Sequence, residues 1–276
     1  MVSRAKTSVE RRTRRPGRDG VPAVLHTVAI LRYLQEVGNR PTPMMEIARA
    51  LEINTSTCFN ILRTLAAQRI LNYDEDTRRY TLGMALIEFA SLVDSHGHLL
   101  AAAQAHADAV AREVNQVCLI FRKTEDDAFL VVGKAEGRRP LKVTATLGDR
   151  IPPNGAVVAK AWYSWSSDEE VDRMISLHGL PARAPHSITG MLDFKRELAR
   201  TRARGFSISV GEYYEEHNAV GCAVLSPVSA PLLLLVITGF ASQLPVQSMP
   251  ALGRRLRVAA DAVSADVFGT STEGIP

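Results

Sequence analysis

The stretch MMEIARALEINTSTCFNILRTLAAQRIL, residues 44–71, decides the fold of the N-terminal part of the chain. Its first apolar group, which includes Ile47 and Leu51, recurs at helical spacing and predicts one short helix. A second group at Ile61, Leu62 and Leu65 predicts another helix, which begins after a polar, hydroxyl-rich segment with Asn54 or Thr55 as N-cap. The stretch is therefore either a helix pair that only packs or one that enters a DNA groove.

The flanking sequence favours the DNA-binding alternative. An apolar pattern from Val24 to Val37 predicts an earlier helix that ends at Gly38. The segment NRPTP then connects to the second helix, with Thr42 as its N-cap and Pro43 at its first position. After the third helix, ILNYDEDTRRYTLG alternates around a polar tip, as a β-hairpin does. Helix, helix-turn-helix and hairpin within residues 22–83 predict a winged helix-turn-helix domain.

The positive charge of the chain is concentrated at its start. The chain carries a net charge of +4, yet residues 1–21 hold seven lysines and arginines against two acidic residues. We interpret these residues as a disordered basic arm, which is either a solubilising tail or a segment that binds a polyanion. Its position directly before the helix pair favours the second reading.

A recognition helix presents short polar side chains to base edges at its N-terminal end, and nearby basic residues contact phosphates. Asn60 suits either adenine or a phosphate, and the arginines of the hairpin suit a wing. Taken singly, Thr55 and Ser56 can be ordinary capping residues, and hairpin arginines are commonly only solvated. The predicted DNA-contacting residues are Thr55, Ser56, Thr57, Asn60, Arg63, Arg78 and Arg79.

The rest of the chain predicts an α+β architecture. Residues 84–97 form an expected linker helix, and residues 98–270 form a second domain that opens with an alanine-rich helix suited to a core or a dimer interface. Strands are predicted at VCLIFRK, DAFLVVGKAEG, LKVTATLGD, FSISVGEYY, VGCAVLSPV and LLLLVITGF. With three intervening helices and a final helix over residues 248–268, this pattern predicts a central antiparallel sheet flanked by helices.

Several classes of protein are disfavoured. The three cysteines are far apart and odd in number, which fits a reducing cytoplasm rather than a disulfide framework. The N-terminal residues lack the apolar segment of a secretory signal. The uncharged stretch after His217 is broken by Pro227 and Pro231, so it predicts two buried strands and not a membrane span. No catalytic, phosphate-loop or zinc-ligand spacing is present. We therefore expect no enzyme activity, metal or cofactor.

The sequence resembles the IclR-type transcriptional regulators over residues 22–268. The resemblance lies in EIARALEINTSTCFNILRTL and RRYTLG, and then in LGDRIPPNGAVVAKAW, ELARTRARGFSISVGEYYEEHNAVGCAVLSPV and LLLLVITG. It implies a GAF-like effector-binding and oligomerisation domain after the linker. It also implies a homodimer or homotetramer on double-stranded operator DNA, and repression of a catabolic operon in response to a small carboxylate or aromatic acid.

The expected effector site combines a helix start with strand residues. Free N–H groups at the start of the helix in PPNGAVVAKA suit a carboxylate, although Asn154 can be an ordinary N-cap. Alternation places Cys222, Val224 and Ser226 on one wall and Val236 and Thr238 on another. By resemblance, Cys222 lines the pocket, its alternative being a buried structural thiol. The predicted effector-binding residues are Asn154, Gly155, Ala156, Glu212, Tyr213, Cys222, Val236 and Thr238.

The sequence departs from the family pattern at several of these positions. Asn60 stands where relatives often have arginine, so the operator is not implied by the family. Ala156 and Ala159 replace threonine and glycine, and Val236 and Thr238 replace serines of some members, which predicts a more apolar pocket. Glu212 would repel an anion unless protonated or paired. Two alternatives stay open: a constitutive DNA-binding factor without an effector, and an enzyme domain fused to a helix-turn-helix.

Overall fold

The computed structural model describes residues 20–93 and 97–269. The chain divides into two compact units, residues 1–95 and residues 96–276. The predicted basic arm, residues 1–21, lies almost wholly outside the described residues. Each unit has its own hydrophobic core.

The N-terminal unit is a small helical domain with a three-stranded antiparallel sheet in the order β1-β3-β2. Its elements are α1 (Pro22–Glu36), β1 (Thr42–Pro43), α2 (Met44–Ala50), α3 (Thr55–Ala67), β2 (Leu71–Asp74), β3 (Arg79–Leu82) and α4 (Ala85–Val93). Apolar residues of α1, α2, α3 and both hairpin strands form a single core. This is the predicted winged helix-turn-helix.

One detail of the prediction was wrong in this unit. Thr42 is not the N-cap of α2, because it lies in β1, pairs with Tyr80, and donates its hydroxyl to the carbonyl of Arg40 at 2.8 Å. Pro43 occupies the N-cap position instead, and α2 begins at Met44. The connector thus contains β1, which completes the three-stranded sheet. A strand of two residues is too short for its alternation to be recognised in a sequence.

The C-terminal unit contains a six-stranded antiparallel sheet in the order β6-β5-β4-β9-β8-β7. Its elements are α5 (Gly97–Val114), β4 (Val117–Lys123), β5 (Phe129–Ala135), β6 (Arg150–Ile151), α6 (Ala156–Tyr163), α7 (Asp168–His178), α8 (Met191–Arg204), β7 (Ser207–Val210), β8 (His217–Leu225), β9 (Pro231–Phe240) and α9 (Met249–Phe268). Helix α8 ends as predicted, at Gly205 in the left-handed conformation with φ of 84°.

Both faces of the sheet are covered. Helices α5 and α9 pack on one face, where Val110 and Leu256 meet Cys118 and Ile237. Helices α6, α7 and α8 cover the other face, where Val158 and Phe194 belong to the same core as residues of β4 and β9. The central strands are therefore buried on both sides, and their sequences are apolar almost throughout.

The strand predicted for LKVTATLGD is absent. The backbone at residues 141–147 is not paired in the sheet, and β6 is confined to Arg150–Ile151. The segment is instead held by local contacts. The Gly148 N–H donates to the Val131 carbonyl at 2.8 Å, and the Asp149 carboxylate accepts the Thr146 N–H at 2.7 Å. Val143 and Ala145 of this segment face a cavity rather than a strand partner, whereas Leu141 and Leu147 are exposed.

Candidate DNA interface and effector cavity

Helix α3 begins where the sequence suggested, and Asn54 is its N-cap. The Asn54 side-chain oxygen accepts the Ser56 N–H at 2.9 Å and the Ser56 hydroxyl at 2.8 Å. This satisfies one of the backbone donors that a helix start leaves unpaired. On the opposite side, Cys58 and Leu62 are wholly buried in the core. The cap and the apolar stripe together determine which face of α3 is exposed.

The outer face of α3 carries most of the predicted DNA contacts. Thr55, Ser56, Asn60 and Arg63 are exposed, whereas Thr57 is half-buried. Ser56, Asn60 and Arg63 follow one another at intervals of four and three residues, so they lie along one side of the helix. The helix therefore presents a polar row with a cation at its far end.

The two arginines of the hairpin differ in their surroundings. Arg78 lies at the tip with a left-handed φ of 54° and is exposed. Arg79 is also exposed, but its guanidinium donates to the Pro41 carbonyl at 3.0 Å and so ties β3 to the segment before β1. At the same tip, the backbone N–H of Thr77 donates to Asp74 and lowers the pKa of that carboxyl. Arg78 is thus the more available of the two.

A cavity of about 280 Å³ lies between the sheet and the start of α6 in the C-terminal unit. Its walls are largely apolar. β4 and β9 contribute Leu119, Phe121 and Val236, and the segment between β5 and β6 contributes Val143 and Ala145. No lysine or arginine lines it within the described residues. The volume suits a small organic molecule.

Five of the predicted effector residues line this cavity. They come from the start of α6, from the loop after β7 and from β9: Gly155, Ala156, Tyr213, Val236 and Thr238. Of the predicted N–H donors, that of Gly155 already donates to the Pro152 carbonyl at 2.9 Å. The first backbone bond of α6 runs from the Ala159 N–H to the Gly155 carbonyl, so the amides of residues 156–158 precede the helical bonding.

The placement of Cys222 in the cavity was wrong. Its side chain lies on the opposite face of the sheet, in the core under α5 and α9, and its thiol donates to the Gly205 carbonyl at 3.2 Å. Burial there raises the pKa of Cys222 to about 12. Val224 shares that face, whereas Ala219 faces the cavity. Strand β8 therefore has the opposite alternation from the predicted one.

Asn154 also lies elsewhere. Its amide donates to the carbonyls of His178 and Gly179 at 2.8 and 3.2 Å, and its oxygen accepts from Arg183 at 3.2 Å. It is neither the N-cap of α6, which is Gly155, nor a wall of the cavity. The side chain instead ties the turn before α6 to the loop after α7.

Glu212 is paired rather than presented to the cavity. Its carboxylate lies 2.5 Å from the ammonium of Lys160, whose side chain is 1% exposed. Lys160 also donates to the Ile208 carbonyl. Because Glu212 is paired with Lys160, its carboxylate does not repel an anion nearby. The adjacent Tyr213 lines the cavity, and the Arg183 guanidinium lies 4.8 Å from its ring centroid.

Residues 23–75 match the IclR helix-turn-helix domain, and residues 91–265 match the C-terminal domain of the bacterial transcriptional regulator IclR. The chain belongs to the IclR family. It is thus a DNA-binding transcriptional regulator, and the resemblance and the fold class drawn from the sequence are confirmed. Within the described residues of this IclR-family protein, no helix is long and apolar enough to span a membrane.

Related proteins align with the IclR-family chain over nearly its whole length. The HTH-type transcriptional repressor AllR of Klebsiella pneumoniae is 24% identical over 261 residues, which cover 92% of this chain and 95% of AllR. The IclR transcriptional regulator of Alicyclobacillus acidocaldarius is 26% identical, with a TM-score of 0.78 and coverage of 90% and 99%. An IclR homolog from Microbacterium hydrocarbonoxydans, solved with 4-hydroxybenzoate, is 18% identical, with a TM-score of 0.79 and coverage of 90% and 100%.

Sequence reasoning missed several residues of the IclR-family cavity. Ser209 on β7 and His217 on β8 line it. Burial lowers the pKa of His217, whose ring lies between those of Tyr214 and Phe240 at centroid distances of 5.1 and 5.5 Å. The hydroxyls of Ser209, Tyr213 and Thr238 have no hydrogen-bond partner among residues 20–93 and 97–269. Polar residues within otherwise apolar strands, such as Ser209 and His217, were the sequence signal that could have identified this part of the cavity wall.

Sequence reasoning also missed an aromatic residue on the exposed face of α3. Phe59 is 45% exposed, and the Arg63 guanidinium lies 6.0 Å from its ring centroid. It stands outside the apolar stripe of Cys58, Ile61, Leu62 and Leu65, which was a visible sign that its ring does not pack in the core.

Proposed function

We propose that this regulator represses a catabolic operon in the cytoplasm and releases its operator when a small aromatic carboxylic acid occupies the cavity. The observation that carries the proposal is a largely apolar cavity of about 280 Å³ at the start of α6, in a chain that also has a winged helix-turn-helix. AllR is a repressor, and the Microbacterium homolog is complexed with 4-hydroxybenzoate, which supports both parts of the proposal.

The chemistry of the cavity supports an aromatic acid. The amides of residues 156–158 lie at the positive end of the α6 dipole, where a carboxylate is favoured without a basic side chain. Leu119, Phe121 and Val236 offer apolar surface for a ring, and the hydroxyls of Ser209 and Thr238 offer bonds to a ring substituent. Asp149 also lines the cavity, and its carboxylate already accepts the Thr146 N–H, whereas the Glu212 carboxylate is paired with Lys160 and lies outside the lining.

A thermal-shift comparison tests the effector. The probe is 4-hydroxybenzoate, and 4-hydroxybenzamide is the control of similar shape without the charge. The acid is expected to raise the melting temperature in a concentration-dependent manner, because a ligand of the folded state stabilises it. Thr238→Val should weaken that shift, whereas Cys222→Ala, on the other face of the sheet, should leave its concentration dependence unchanged. Absence of stabilisation by any member of a panel of aromatic acids would favour a constitutive factor.

Turnover separates sensing from catalysis. The effector is expected to be recovered unchanged after prolonged incubation with the pure protein, while the same concentration releases operator DNA in a gel-shift assay. Conversion of the acid would support the alternative of an enzyme domain joined to a helix-turn-helix.

On the DNA side, we propose that the outer face of α3 enters the major groove and that Arg63 and Arg78 contact phosphates. Arg63→Ala should weaken binding to all sequences and reduce the slope of log affinity against log salt by about 1. An unchanged slope would contradict the role of Arg63. Deletion of residues 1–20 should weaken DNA binding without lowering thermal stability if the basic arm contributes affinity.

We further propose that the regulator is a homodimer or homotetramer, because a two-fold assembly places two recognition helices on a near-palindromic operator. Exposed apolar side chains on α1 and α4, which could pack against a second copy of the chain, support this assembly. Val21, Val24 and Val28 on or beside α1 and Ile87 and Phe89 on α4 are all exposed apolar residues. Effector binding would then favour one arrangement of the assembly over another. Light scattering on the full chain tests the assembly, and Val24→Asp with Val28→Asp should reduce its mass.

A further inference from the structure

Helix α3 exposes one large apolar side chain among its polar contacts. Phe59 is 45% exposed, whereas Cys58 and Leu62 are wholly buried and Leu65 is 7% exposed. The ring lies three residues after Ser56 and one residue before Asn60, on the flank of the polar row. Phenylalanine rings are usually buried in the core. The buried apolar stripe of α3 lies on the other side of the helix, so the Phe59 ring is left exposed.

The ring is held in position by its neighbour. The Arg63 guanidinium lies 6.0 Å from the Phe59 centroid, one helical turn further on. Such a cation–π contact restricts both side chains, so the ring keeps a defined surface toward solvent. The pair thus places an apolar surface and a positive charge side by side on α3.

The charge of this face indicates the kind of molecule that covers it. Helix α3 contains no acidic residue, and its one charged side chain, Arg63, is exposed. A basic face is suited to a polyanion, whereas an apolar protein partner would meet polar side chains on either side of the ring. DNA offers both of the required partners, because phosphates flank the major groove and thymine places a methyl group inside it.

We propose that Phe59 reads a thymine in each operator half-site through contact of its ring with the thymine 5-methyl group. The inference rests on the proposed entry of α3 into the major groove and adds a specificity determinant to it. The 5-methyl group is the one apolar feature that distinguishes thymine on the major-groove edge, and phenylalanine is among the side chains that contact it. Ser56 and Asn60 then serve the neighbouring polar base edges.

The experiment begins with selection of binding sites by the full-length protein from a random double-stranded DNA library. Each thymine of the selected half-site is then replaced by deoxyuridine, which removes the methyl group and preserves base pairing. At one thymine per half-site, the replacement should weaken wild-type binding about four-fold, the equivalent of one buried methyl group. Deoxyuridine outside the half-sites serves as the control and should change nothing.

Variants of Phe59 link the methyl effect to this residue. Phe59→Ala should bind thymine and deoxyuridine sites equally, and its own selection should no longer prefer thymine at that position. Phe59→Leu retains an apolar side chain and should keep part of the preference. Both changes are at an exposed position, and equal melting temperatures verify that the domain is folded.

The outcomes separate the two levels of the proposal. If the wild-type protein selects no sequence, the entry of α3 into the groove fails, and the inference fails with it. If a sequence is selected but no single thymine is sensitive to deoxyuridine, α3 can still be the reader and only the role of Phe59 is overturned. An equal deoxyuridine effect on wild type and Phe59→Ala also overturns it.

Discussion

Lys160 on α6 and Glu212 in the loop after β7 form an ion pair that is withdrawn from solvent. The ammonium nitrogen lies 2.5 Å from the carboxylate oxygen, and the side chains are 1% and 13% exposed. Burial lowers the pKa of Lys160, and the charge of Glu212 opposes that effect. Because Glu212 precedes Tyr213, the pair also anchors the loop that brings a tyrosine to the cavity.

The pair should show strong energetic coupling. Lys160→Met leaves the Glu212 carboxylate buried without a counter-charge and should lower the free energy of unfolding by about 3–5 kcal/mol. Glu212→Leu should also be destabilising because it strands the ammonium. The double variant should recover much of the loss, which urea unfolding of all four proteins measures. Additive losses would show that the two charges do not depend on each other.

Acid should weaken the attachment of the segment between β5 and β6. Lys142 and Lys134 donate to Glu136 and lower its pKa to about 2, and Thr144 of the cavity wall is 3.4 Å from the same carboxylate. A depressed carboxyl pKa contributes stability above its unfolded value of 4.5, and this is lost as the pH falls toward 2. Solvent screening limits the contribution to about 1 kcal/mol, since the side chain is 33% exposed.

Glu136→Gln should therefore destabilise the protein at neutral pH and have a vanishing effect near pH 2. Unfolding measured across that pH range checks the difference. Glu215→Gln is the matched control, because Glu215 is exposed and has no ion pair with any residue that the structure describes. A pH-independent difference between wild type and Glu136→Gln would contradict the assignment.

Gly253 should resist replacement by alanine even though it lies inside α9. Helix propensity alone favours alanine over glycine by about 1 kcal/mol. A Cβ at this position would, however, lie 2.2 Å from the Phe206 ring, which is itself buried. Overpacking of that kind costs about 1–3 kcal/mol or more, so the net effect should be destabilising.

The contribution of the Phe206 ring can be isolated in a second background. With Phe206→Ala already present, Gly253→Ala should become neutral or stabilising, because the obstructing ring is gone and only the propensity difference is left. Thermal unfolding of the four proteins gives the comparison. Destabilisation of equal size in both backgrounds would mean that α9 is strained at Gly253 by something other than Phe206.

The thiol of Cys222 should be inert while the protein is folded. It lies on the α5 and α9 face of the sheet, and burial raises its pKa to about 12. Because the thiolate is the reactive form, thiol reagents at pH 8 should modify it only as fast as the protein unfolds. Quantification of labelled peptides by mass spectrometry, with and without denaturant, checks this. Rapid labelling that is blocked by effector would instead place Cys222 in the cavity.

The winged helix-turn-helix was predictable from the sequence because its signals are local. The apolar stripe of α3, its cap at Asn54 and the polar tip between β2 and β3 each lie within one turn or one hairpin. Helix α8 and its terminal Gly205 were predictable for the same reason. In these elements, side chains a few residues apart determine the local structure, so the local sequence is sufficient to predict them.

The cavity was only partly predictable. Val236 and Thr238 were placed on the correct side of β9, but β8 was assigned the opposite alternation. From Ala219 to Val224, β8 has no charged or strongly polar side chain on either face, so that part of its sequence does not mark one side as inward. The face of β8 that lines the cavity is set by its register with β9, in which Ala219 pairs with Thr238 and Gly221 with Val236. This register exists only in the assembled sheet.

The sequence by itself determined the order and type of most elements, the exposed polar row of α3 and the family. The tertiary structure decided which side of β8 faces the cavity, that residues 143–145 line a wall instead of joining the sheet, and that Lys160 neutralises Glu212 from 52 positions away. The physical reason is the range of the interactions. Caps, turns and helical periodicity act over a few residues, whereas strand register and buried charge pairing join distant segments only when the chain has folded.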